Sequence, residues 1–98
     1  MDQKQFRQEL EQNERLLVFF SSPNCTVCQA MFPKVEALVD EYGDWSLLKV
    51  SSAESPAVAG QLLVFTAPTL VFFVDGREVE RLSRNFAMQD VRKVLNRN

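Results

Sequence analysis

The sequence has no histidine and only two cysteines, so it offers few ligands to a metal ion. A structural zinc site usually takes four Cys or His ligands. That leaves only a site shared between chains or completed by carboxylates, and no metal is expected. A basic excess is also missing: 11 Lys and Arg stand against 13 Asp and Glu, and the net charge is −2. Nucleic acid or an anionic membrane would need a basic face, so neither is an expected partner. Long apolar runs are absent. The longest, LLVFF (16–20) and LVFFV (70–74), are far too short to cross a bilayer. The polar opening MDQKQFRQELEQNERLL lacks the apolar core of a signal peptide. A soluble, cytoplasmic protein is the expectation, although a leader upstream of residue 1 would leave no trace here. A reducing compartment argues against a purely structural disulfide. No repeat, low-complexity tract or linker is visible.

The 98 residues suffice for one domain, 1–98, with a hydrophobic core that needs no metal or disulfide support. Residues 3–14 are polar with Phe6 and Leu10 four apart, the pattern of a short amphipathic helix. LLVFFS (16–21) is a continuous apolar run, the mark of a strand buried on both faces. Met31, Phe32, Val35, Leu38 and Val39 recur at helical spacing and predict a helix from Cys25 to Tyr42, stopped at Gly43 and kinked at Pro33. WSLLKV (45–50) reads as a strand, Ser55-Pro56 as the N-cap and first turn of a helix over 56–63. TLVFFV (69–74), Asp75-Gly76 and REVERLS (77–83) form a hairpin pattern. Phe86, Val91, Val94 and Leu95 stripe a closing helix over 86–96. The order α-β-α-β-α-β-β-α implies an α/β fold, a four-stranded mixed sheet with helices on both faces.

Both cysteines lie in SSPNCTVCQAMFP, residues 21–33, separated by Thr26 and Val27. Cys25 falls between a buried strand and a helix N-terminus, where unpaired N–H groups and the macrodipole stabilise a thiolate. Its pKa is expected below the free value of about 8.5. Cys28 is one turn on, within reach for a disulfide. The exposed sulfur is then suited to attack a substrate disulfide and the inner one to resolve the mixed disulfide. A cysteine pair that merely packs is the alternative. The strand-to-helix setting of Cys-x-x-Cys favours the redox reading.

These residues carry a family resemblance. The strand LLVFF, Cys25-Thr26-Val27-Cys28, Pro33 five residues past the second cysteine, Pro56 opening a helix and Ala67-Pro68-Thr69 before the hairpin together resemble a thioredoxin, over nearly the whole chain. The resemblance implies a thioredoxin fold and a dithiol–disulfide oxidoreductase acting on protein disulfides. Cys25 would be the nucleophile and Cys28 the resolving thiol. Pro68 would be cis and face the disulfide, and the backbone of Ala67 would pair with substrate. No bound cofactor is implied. Electrons would come from a disulfide reductase or a low-molecular-weight thiol, and the chain would act as a monomer.

The chain departs from the family pattern at four places. Asn24 replaces the usual tryptophan and is expected to cap the helix. Val27 replaces the usual proline, which moves the expected potential above the thioredoxin value of about −270 mV toward about −200 to −230 mV. Phe19 stands where the family carries a buried aspartate that takes a proton from the inner cysteine. Lys49 stands at that aspartate's lysine partner; it is either half of a lost pair or, the favoured reading, a strand-end lysine whose amine reaches water. Ser83-Arg84-Asn85 replaces a segment with glycine, and Arg84 either meets an acidic partner or is simply solvated. The Phe19 change leaves open two rivals to an enzyme: a binding module of the same fold, and a redox sensor.

Overall fold

The computed structural model describes residues 1–98. Helix α1 (Gln3–Gln12) leads into β1 (Arg15–Ser21), α2 (Thr26–Glu41), β2 (Ser46–Ser51), α3 (Pro56–Gln61), β3 (Thr69–Val74), β4 (Arg77–Ser83) and α4 (Met88–Arg97). The sheet order is β2-β1-β3-β4. β1 runs parallel to β2 and antiparallel to β3, and β3 and β4 are antiparallel. The expected architecture is therefore the observed one.

β1 lies between two neighbours, and every residue from Leu16 to Phe20 is at most 1% exposed. Successive side chains on a strand point to opposite faces, and the two cores divide accordingly. Leu17 and Phe19 join Leu70 and Phe72 of β3 against Val35, Leu38 and Val39 of α2 and Val91, Val94 and Leu95 of α4. Leu16, Val18 and Phe20 join Val71 and Phe73 against Phe6 of α1 and Val58 and Ala59 of α3. Trp45, just before β2, packs edge-on to Phe72 at 5.9 Å between centroids.

The ends of the elements differ in detail from the sequence expectations. α1 is closed by a capping box between Asp2 and Gln5 and stops at Gln12. α2 begins at Thr26, not Cys25, and runs through Pro33 to Glu41. Gly43 does not supply the left-handed C-terminal glycine expected of it: the only glycine with positive φ is Gly76. Ser55 sits at the N-cap of α3, but its hydroxyl makes no cap hydrogen bond and accepts from the Met1 ammonium instead. At the hairpin, Asp75 (φ 52°) and Gly76 (φ 78°) both take positive φ, as a two-residue type I′ turn requires. A bulge opposite Phe72 and Phe73 leaves Val79 as the extra residue of β4.

α3 ends in a Schellman motif. Val64 N–H reaches the Ala59 carbonyl at 2.9 Å and Leu63 N–H the Gly60 carbonyl at 3.1 Å. The motif needs a left-handed residue at Leu63, which has φ 57°. A side chain there costs about 1–2 kcal/mol, and Leu63 is 67% exposed, so little burial offsets the cost. Leu63→Gly should raise the unfolding free energy by about 0.5–1 kcal/mol. Urea unfolding followed through the single buried tryptophan measures this, and a loss of stability would show that the Leu63 side chain contributes packing that its exposure does not reveal.

Candidate active site

β1 delivers the chain to a short turn, residues 22–25, at its C-terminal end. Asn24 does not cap α2, as the sequence reading expected. It takes a left-handed conformation (φ 61°) one residue too early, and Cys25 is the N-cap. The reason is the tight turn: Asn tolerates positive φ better than other side chains. Cys25 is left with extended backbone, and its Sγ accepts a hydrogen bond from the Cys28 N–H at 3.1 Å. That N–H is one of the unpaired donors of the first helical turn.

Cys25 and Cys28 are joined in a disulfide, with their Cα atoms 5.2 Å apart. Cys25 is half-buried at the surface, whereas Cys28 is 3% exposed and packs within the α2–α4 core. Ala67 packs against the same cluster as Cys25. The Ala67–Pro68 peptide bond is cis, as the resemblance implies, and Pro68 is buried. The Thr69 hydroxyl donates to the Thr66 carbonyl at 2.6 Å and ties the loop down on either side of Ala67 and Pro68. A cleft of about 110 Å³ lies between Ser22, on the cysteine turn, and Ala67.

Phe19 is fully buried and belongs to the same core cluster as Cys28. Phe32 of α2 meets it edge-on, 5.2 Å between centroids. Lys49, the β2 partner of Phe19 in the sheet, is exposed and holds its Nζ 4.7 Å from the centre of the Phe32 ring. The strand-end reading of Lys49 is the one observed, with the ammonium resting on an aromatic face while it stays in water. No Asp or Glu is buried in the chain; the buried polar residues are Ser21, Ser55 and Thr69.

Sequence reasoning missed Phe65, which is 81% exposed two residues before Ala67. Within LLVF it reads as one more core residue. With Leu63, Thr66, Thr69, Arg81, Ser83 and Arg84 it lines a second cleft of about 390 Å³ beside the cis-proline loop. Arg81 is committed there: it bonds Glu78 through both carboxylate oxygens and donates to the Leu62 and Leu63 carbonyls. The Glu78 hydrogen bond raises the Arg81 pKa above its ordinary value.

A half-exposed cysteine sulfur at a helix N-terminus, joined in a disulfide to a buried one a turn away and set beside a cis-proline loop, defines the class: a thioredoxin-like dithiol–disulfide oxidoreductase. The sequence model of the family described as Thioredoxin matches residues 1–97. The chain belongs to the thioredoxin family. It is 31% identical over 88 residues to the Thioredoxin-like protein YdfQ of Bacillus subtilis, covering 90% of this chain and 79% of that one. It is 38% identical over 77 residues to Thioredoxin 1 of Synechococcus elongatus, covering 76% of this chain and 72% of the relative. Oxidised mitochondrial thioredoxin 3 of Saccharomyces cerevisiae superposes with a TM-score of 0.90 at 26% identity, covering 99% of this chain and 91% of that structure.

Resolution needs the Cys28 thiolate, and the core that holds Cys28 contains no buried carboxylate to accept its proton. Phe19→Asp puts a carboxylate there, on the strand beside Lys49. The variant should lose about 4 kcal/mol or more of stability. Where it remains folded, its mixed disulfide should resolve about tenfold faster or more near neutral pH. Stopped-flow decay of the mixed disulfide from about pH 6 to pH 9 tests this. Equal rates for wild type and variant across that range would make Phe19 a packing residue only.

Proposed function

We propose that this chain, acting as one thioredoxin-like domain over residues 1–98, reduces or exchanges protein disulfides through Cys25 and Cys28. The Cys25 thiolate attacks one sulfur of the substrate disulfide. A mixed disulfide forms, and the other substrate sulfur leaves as a thiolate that takes up a proton. Cys28, once deprotonated, attacks Cys25 Sγ. The Cys25–Cys28 disulfide forms, the second substrate thiol is released, and two electrons have passed to the substrate. The main chain of Ala67 pairs with the substrate segment during attack, and Pro68 shapes that loop. No bound cofactor takes part. A disulfide reductase or a low-molecular-weight thiol restores the dithiol. The chain works as a monomer in the cytoplasm, with no nucleic-acid or membrane partner.

One observation carries the assignment of roles. Cys25 Sγ sits at the N-cap of α2, half-exposed and accepting the Cys28 N–H, while Cys28 is buried. Access and the helix N-terminus both favour Cys25 as the attacking sulfur. A second reading, a binding module or redox sensor that turns over poorly, draws support from Phe19 in the place of a proton acceptor. Turnover of a protein disulfide separates an enzyme from a module, and partner binding compared in the two redox states identifies a sensor.

Limited alkylation of the reduced protein at neutral pH, mapped by mass spectrometry, should label Cys25 first. Cys28→Ser should accumulate mixed disulfides with protein substrates, and Cys25→Ser should accumulate none. First labelling of Cys28, or trapping by the Cys25→Ser variant, would reverse the two roles.

A further inference from the structure

Three segments converge on the candidate site: residues 21–32, 62–70 and 83–89. Together they contain one charged residue, Arg84. The antiparallel register pairs Thr69 with Ser83 as its last pair, so Arg84 leaves β4 at the end of the sheet where Pro68 enters β3. Arg84 is exposed, forms no ion pair and lines the cleft beside Phe65 and Thr66. The two acids of β4 do not neutralise it, because Glu78 is held by Arg81 and Glu80 by Arg97. The cleft around this cation also holds Arg81, already paired with Glu78, the hydroxyls of Thr66, Thr69 and Ser83, and the exposed side chains of Phe65 and Leu63, 81% and 67% exposed.

The backbone adds a second observation. Arg84 has φ 62°, a conformation that suits glycine and costs another side chain about 1–2 kcal/mol. The side chain is exposed, so packing does not offset that cost.

We propose that Arg84 is an electrostatic anchor for the segment flanking the target disulfide, and that preferred substrates carry an acidic side chain within about two residues of the attacked cysteine. The inference rests on the disulfide-exchange reading above and names the substrate class for it. An extended segment paired with Ala67 passes Pro68 and therefore Arg84. An arginine side chain reaches about as far as two residues of extended chain. Arg81 is neutralised by Glu78, so Arg84 is the unpaired cation of this cleft and the one an acidic side chain would meet. Phe65 and Leu63 supply the apolar wall against which the rest of the segment lies.

The test uses three symmetric peptide disulfides that differ only in the residues two positions either side of cysteine: Glu, Gln or Lys. The reduced protein is mixed with each at low ionic strength, and peptide-thiol release is followed by acid quench and chromatography. The Glu peptide should react about 3- to 10-fold faster than the Lys peptide, with Gln between. The difference should shrink toward unity at about 1 M salt, where the Debye length is about 3 Å. Arg84→Gln should abolish the order and Arg84→Glu reverse it. Arg84→Gly should also abolish it, and its backbone fits the left-handed position, so a fold defect cannot account for the result. Arg77→Gln, which removes one charge at the far end of β4, should retain the order. If wild type shows no order, if Arg84→Gln keeps it, or if Arg77→Gln loses it equally, the anchor is wrong while disulfide exchange stands. If none of the peptides is reduced, the exchange reading fails and the anchor falls with it.

Discussion

The structure depends on the burial of β1 on both faces. Its five apolar residues are each at most 1% exposed, and they alternate between two separate cores. Fully burying side chains of this size contributes about 1.5–3 kcal/mol each, and a register slip by one residue would exchange the two cores. That constraint fixes where β1 ends, and so where the turn to α2 can place Cys25. The chain leaves a buried central strand, turns at Asn24 and starts a helix in which a first-turn donor, the Cys28 N–H, meets the Cys25 sulfur. Cys25 follows the most deeply buried strand of the molecule, while the exposed clefts around it are lined by loops.

The same core sets the chemistry of the inner sulfur. Cys28 shares a core cluster with Phe19, and Phe32 joins Phe19 to the Lys49 ammonium through ring contacts. A carboxylate at the position of Phe19 would give the inner thiol a proton acceptor but would place a charge in an apolar core. This chain has the aromatic solution: the core gains apolar volume, and the lysine is satisfied by water and a ring face. Packing and proton transfer compete for one position, and here packing occupies it.

On the opposite side of the cysteine pair, the loop before the cis-proline is built under strain. Leu63 completes a Schellman motif that glycine would complete more cheaply, and it is exposed with Phe65 beside it. Arg84 takes a left-handed position next to the same loop. Two unfavourable backbone positions and an exposed aromatic thus border one cleft, next to the segment where a substrate is proposed to lie.

The periodicities and the cysteine spacing by themselves determined the element order, the mixed sheet, the two-sided burial of β1 and the placement of Cys25 and Cys28 at a strand-to-helix junction. Each rests on local patterns: apolar runs, helical stripes, and turn residues such as Asp75-Gly76. Family resemblance, rather than pattern, pointed to Ala67 and Pro68, because a proline before a strand carries no local signature of a substrate loop. Only the tertiary structure decided that Cys25 rather than Asn24 caps α2, since the cap depends on which residue absorbs the positive φ of the turn. It also decided that Phe65 stands in solvent and that Lys49 lies on Phe32. Exposure and contact between distant segments arise from how the sheet and helices close on one another, and nothing in the order of residues 61–65 distinguishes a core phenylalanine from one at a cleft. The placement of Arg84 at the cis-proline end of the sheet is of the same kind: it exists only once β3 and β4 are in register.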